Sequence, residues 1–186
     1  PDLGLDVSGA PGTDGWYVSP TGVTATGADA ASGLASLALS VDGGDWQASA
    51  TLNEGVPTVA VAGADNAGNV SNSSTTISVD TTTPAINVTV DGTAGNNGWY
   101  KAGAVQVSAA ASDATSGVGT FEVSADGAAY QPYAPVSFAD GEHTTRCRAV
   151  DRAGNLTETP AQVFHVDAAK PDVDLPASWK LGTSVQ

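Results

Sequence analysis

The sequence predicts an all-β protein, a small sandwich written twice, on three observations. Turn formers are abundant and helix-surface residues scarce, with 22 Gly, 10 Pro, no Met and 14% charged residues in a chain of 186. Short apolar runs alternate with a period of two, the mark of strands that bury one face. The chain also resembles itself after about 85 residues, with several motifs returning in order.

The strands follow from that alternation. Leu3, Leu5 and Val7 correspond to Ile86, Val88 and Val90, and Val23 and Ala25 to Val107 and Ala109. Leu37, Leu39 and Val41 answer to Phe121, Val123 and Ala125. Later, Val59 and Val61 match Thr145 and Cys147, and Ile77 and Val79 match Phe164 and Val166. A short pair around Trp46 and Leu52, or Tyr130 and Val136, brings each unit to about seven strands, the number of a small sandwich. Turn signals separate the runs. Asp65 to Asn69 (DNAGN) and Asp151 to Asn155 (DRAGN) read as tight hairpins in which Gly68 or Gly154 takes a positive φ and the Asp accepts backbone N–H bonds.

Charge and composition remove several function classes. Twenty acidic residues face six basic ones, net −14, so phosphate backbones and anionic membranes are repelled. No apolar run approaches the roughly 20 residues of a membrane-spanning helix, and no signal peptide is visible, which points to processing or an internal fragment. A single cysteine, Cys147, supports neither a disulfide framework nor a zinc cluster. It alternates with Arg146 and Arg148, so it points inward as a core thiol. His143 and His165 stand where the first unit has Pro57 and Ser78, and no Gly-x-Ser-x-Gly elbow is present, which argues against a catalytic triad. Residues 1–83 carry nine carboxylates and no Lys or Arg, net −9, whereas residues 84–170 carry nine against five basic groups, net −4.

The repeated motifs are Gly15-Trp16-Tyr17 and Gly98-Trp99-Tyr100, DAASG (29–33) and DATSG (113–117), SVDGGDWQ (40–47) and SADGAAYQ (124–131), the DxAGN hairpins, and the linkers VDTTTP (79–84) and VDAAKP (166–171). On these motifs the chain resembles the bacterial immunoglobulin-like repeats found in tandem in large secreted and surface proteins, including adhesins and accessory modules of extracellular glycoside hydrolases. The second unit departs by Tyr130 in place of Trp46, and the last segment by Trp179, which lies closer to its Pro171 than Trp99 does to Pro84. The resemblance implies two immunoglobulin-like β-sandwiches, residues 1–82 and 83–169, with 170–186 as a linker and the opening strand of a third. It implies a non-enzymatic spacer or surface-assembly unit outside a bacterial cell, with neighbouring modules, further copies or a surface glycan as partners.

Two candidate sites remain. If the strands run up and down in order, the loop after the second strand, the loop between the last two and the incoming linker share one pole. Asp80, Asp113, Asp151 and Asn155 then converge at the junction, where carboxylates repel unless a hard cation such as Ca2+ neutralises them. Related repeats in some large adhesins hold calcium at such junctions, so the resemblance points the same way. Turn geometry alone also explains each of these residues. Asp167 occupies the matching place in the next linker. The second candidate is aromatic: Trp16, Tyr17, Trp99 and Tyr100 offer either flat faces for sugar rings or half-buried packing at a seam.

Overall fold

The computed structural model describes residues 1–101 and 105–173, and every regular element among them is a strand. No helix there is long and apolar enough to cross a membrane. The first repeat comprises β1 (Asp2–Ser8), β2 (Trp16–Tyr17), β3 (Thr21–Ala28), β4 (Leu34–Val41), β5 (Ser49–Leu52), β6 (Thr58–Asp65), β7 (Val70–Thr76) and β8 (Ser78–Val79). The second comprises β9 (Ala85–Asp91), β10 (Trp99–Tyr100), β11 (Val105–Ser112), β12 (Val118–Ala125), β13 (Gln131–Pro132), β14 (Val136–Phe138), β15 (Gly141–Asp151), β16 (Leu156–Glu158) and β17 (Gln162–Val166).

In the first repeat, β1-β3-β5 form one antiparallel sheet and β4-β6-β7 another. Alternation in β6 turns Val59 and Val61 inward, where they meet Val23 of β3, Leu39 of β4 and Leu52 of β5 in a single core with Ile77 and Val79. Each such aliphatic side chain contributes roughly 1.5–3 kcal/mol when fully buried, so a few of them suffice for a thin sandwich. The second repeat copies the plan with β9-β11-β14 against the sheet of β10, β17, β15, β12 and β13, around Val105, Val107, Phe138, Phe164 and Val166. Cys147 is buried as a thiol, as its alternation predicts.

Strand pairing among the described residues stays within each repeat. The expectation of about seven strands per unit becomes eight and nine among the described residues, because short pieces pair non-locally. In particular β2 runs parallel to β8, and β10 parallel to β17. Two turn features occur in both repeats. Asp42-Gly43 and Asp126-Gly127 all take positive φ (49°, 73°, 50° and 74°), the type I′ geometry that suits a two-residue hairpin turn. Gly68 and Gly154 take φ of 92° and 105° in the DxAGN hairpins. The expected opening of a third unit lies largely outside the described residues: 171–173 form no strand, and Asp174 to Gln186, Trp179 included, are not among them.

Candidate metal centre

Three pieces of backbone meet where the first repeat passes into the second. Asp80 follows β8, and its amide donates to the Tyr17 carbonyl at 2.8 Å, so the β2·β8 pair sets where its side chain begins. Asp113 follows β11, and its Oδ1 accepts from the amides of Thr115, Ser116 and Gly117 at 3.1, 3.0 and 2.8 Å. Asp151 ends β15, and its Oδ1 accepts from the amides of Gly154 and Asn155 at 2.7 and 2.8 Å. Each short side chain is therefore fixed by its own turn.

These turns bring carboxylate oxygens of Asp80, Asp113 and Asp151 within 4.8 Å of one another, the one such group of three among the described residues. Asp80 is 0% and Asp151 3% exposed. Burial raises the Asp80 carboxyl above the usual carboxylate range; the charge of Asp113 adds to this, and hydrogen bonds from Ser116 and Thr82 oppose it. The donors are all hard oxygens, a set that fits Ca2+ better than a soft transition metal.

Asn155 lies at the same junction, with its side-chain amide turned to Asp151 and the linker. Its Nδ2 donates to Asp151 Oδ2 at 2.8 Å and to the Asp80 and Thr82 carbonyls at 3.0 and 3.2 Å. All three partners are acceptors, so the amide nitrogen faces them, orienting Asp151 and clasping the linker.

Sequence reasoning missed Glu54. Its Oε2 accepts from the Thr81 amide at 3.1 Å and the Thr81 hydroxyl at 2.7 Å, fastening the linker to the loop after β5. Burial works against its charge, but the Thr81 donors prevail and hold its carboxyl below the usual range. The available signal was the repetition of an acid followed by Gly at Glu54-Gly55 and Asp140-Gly141. Asp140 Oδ1 likewise accepts from the amide of Ala168 in the next linker, at 2.8 Å. Also missed was direct docking of the DRAGN hairpin on the loop before β2. There Thr13 donates its amide to the Ala153 carbonyl at 2.8 Å and its hydroxyl to the Arg152 carbonyl at 2.6 Å. Ala153 is fully buried, and a Cβ on Gly12 would run into its carbonyl oxygen.

The four aromatic candidates fall in two pairs, one in each repeat. Tyr17 and Tyr100 pack against the two cores. Trp16 is half-buried, while Trp99 is exposed and tilts against His165 with ring centres 5.2 Å apart. Of the other groups weighed for catalysis, His143 lies 2.9 Å from Asp126 and stacks on Phe138, and burial raises the Cys147 thiol.

The first repeat has the same two loops. Asp29 Oδ1 accepts from the amides of Ala31, Ser32 and Gly33, and Asp65 Oδ1 from those of Ala67 and Asn69. The Ser32 amide, ahead of the smaller effects, holds Asp29 below the usual range; Asn69, through side chain and backbone, does so for Asp65. The junction differs in adding a third, linker-borne carboxylate.

The profile of the bacterial Ig-like domain matches residues 62–168, more than half of the chain. No curated protein matches. Among solved structures, the fibronectin(III)-like modules of Clostridium thermocellum CbhA align over 94% of this chain and 98% of theirs, at 15% identity and a TM-score of 0.38. The all-β pairing, the facing sheets and the profile match agree, and the chain belongs to the bacterial immunoglobulin-like domain family.

Proposed function

We propose that the chain is a pair of tandem immunoglobulin-like modules, residues 1–82 and 83–169, serving as a non-catalytic extracellular spacer whose joint is locked by Ca2+ at Asp80, Asp113 and Asp151. The observation that carries this reading is the approach of the three carboxylates to within 4.8 Å, one from the linker and two from the second repeat. At that separation each ionised pair repels by roughly 3 kcal/mol for an effective dielectric of about 20. Either a proton is retained or a cation is taken up, and a divalent cation removes the repulsion while tying linker to loops. The docked Thr13 loop and the Glu54 anchor support the same role, since they restrain the linker from the first repeat's side.

Calorimetric titration with Ca2+ tests this. One ion per chain is expected, with affinity in the range of about 10⁻⁴–10⁻³ M typical of extracellular modules. Asp113→Asn is expected to weaken it at least tenfold. Absence of binding at several millimolar Ca2+, with melting unchanged by chelator, would remove calcium from the joint.

A further inference from the structure

The outer face of the β4-β6-β7 sheet carries a second site. Trp46, in the hairpin between β4 and β5, is 56% exposed, yet its backbone is not loose. Its neighbour Gln47 exchanges two hydrogen bonds with Leu39, at 2.7 and 2.8 Å, and Gly44 closes the turn on Val41 at 2.9 Å. The indole is thus held over the sheet at little further cost in chain entropy. Shallow depressions of about 330 and 350 Å³ flank it. Ser36, Ala38, Ala64 and Val70 line one, and Ala60, Asn72, Ser73 and Ser74 the other.

In the second repeat the matching aromatic, Tyr130, is half-buried, with a depression of about 390 Å³ beside it that Arg146 helps to line. Register pairs Glu122 with Arg148 and Arg148 with Glu158, the row that Ala38, Ala62 and Asn72 occupy in the first repeat. Arg148 lies 4.2 Å over the Tyr130 ring and 2.7 Å from Glu122, and Arg146 reaches Glu158 at 3.3 Å. The second repeat therefore covers its aromatic with its own guanidinium. In the first, Ala60 and Ala62 replace both arginines, and the indole is left bare above a floor of small, uncharged residues.

We propose that this face of the first repeat binds a neutral pyranose chain, with Trp46 as the platform and Ser36, Asn72 and Ser74 as polar rim. An exposed indole packs well on the C–H face of a sugar ring, while hydroxyl and amide groups answer the sugar hydroxyls. The net charge of −9 over residues 1–83 selects against anionic polymers and leaves a neutral chain unopposed. The same charge disfavours a second copy. Strand β7 offers an edge with no Pro and no charge, but joining two copies there would bring two such repeats together.

The test is affinity electrophoresis of the full chain through gels containing hydroxyethylcellulose, mixed-linkage β-glucan, xylan or galactomannan, with polygalacturonate as the anionic comparison. Retardation by at least one neutral polymer and none by polygalacturonate is expected. Trp46→Ala should weaken it at least tenfold, as should the pair Ala38→Glu with Ala62→Arg, which rebuilds the second repeat's ion pair; Trp99→Ala should leave it unchanged. Circular dichroism and melting of each variant establish that the sheets persist. Failure of all four neutral polymers to retard the wild type overturns the proposal, as does wild-type retardation of a folded Trp46→Ala. Self-association that Ser73→Pro abolishes, without retardation by any polymer, would overturn it in favour of strand pairing at β7.

Discussion

Asp80 shows how much one side chain contributes to the joint. Its pKa is raised in the folded chain, first by burial and then by the charge of Asp113. A carboxyl raised above its unfolded value near 3.9 favours the folded state while protonated, and that contribution is lost as pH rises through the folded pKa. In chelator, wild-type melting temperature should therefore gain from this group as pH falls through its raised pKa, before Glu54, Asp29, Asp65 and Asp126, whose pKa values are lowered, begin to protonate and destabilise below about pH 4.5. Asp80→Asn removes the buried charge but keeps a single acceptor oxygen, so it can serve the Thr82 amide or the Ser116 amide, which bond different oxygens of Asp80, and not both. In chelator its melting temperature is expected to lose the wild type's dependence on this carboxyl's titration, and calcium is expected to raise only the wild type. Differential scanning calorimetry reads both, and a variant that gains from calcium as the wild type does would contradict the assignment. The three aspartates were legible because turn chemistry places Asp at strand ends and the repeat aligns those ends. Glu54 was not, since a long side chain reaching a linker 27 residues onward shows only as an acid-Gly pair shared by the two repeats, which by itself names no partner.

At the level of elements, the joint depends on one loop being able to approach another. Gly12 sits where a Cβ would strike the Ala153 carbonyl, and Thr13 spans the seam with two hydrogen bonds. Gly12→Val should unseat the DRAGN hairpin while both cores, which do not include this loop, remain folded. Limited proteolysis is expected to cut the linker at residues 81–83 several times faster in the variant, in the absence of calcium. Unchanged cleavage would mean that the contact does not hold the linker. The long strands were readable from their period of two, and the hairpins from Asp, Asn and Gly. The parallel pairs β2·β8 and β10·β17 were not, because two residues show no period and their partners lie some sixty residues away. The docking of Thr13 on Ala153 was equally hidden, being a backbone contact between segments 140 residues apart.

For the whole molecule, duplication gave the plan and differences between the copies give the functions. Both copies keep the Asp-bearing loops and the acid that anchors the following linker, Glu54 or Asp140. They diverge on the outer sheet face, where Arg148 covers the aromatic of one copy and alanines leave that of the other bare. The sandwich architecture was legible in the sequence because it rests on local alternation; the joint's geometry depends on how two folded surfaces meet, which local pattern does not encode. Small-angle X-ray scattering of the intact chain in calcium and in chelator tests the locked joint most directly. Calcium should give one narrow distance distribution that broadens in chelator, with Asp80→Asn giving the same profile in both. Superimposable wild-type profiles under the two conditions would contradict it.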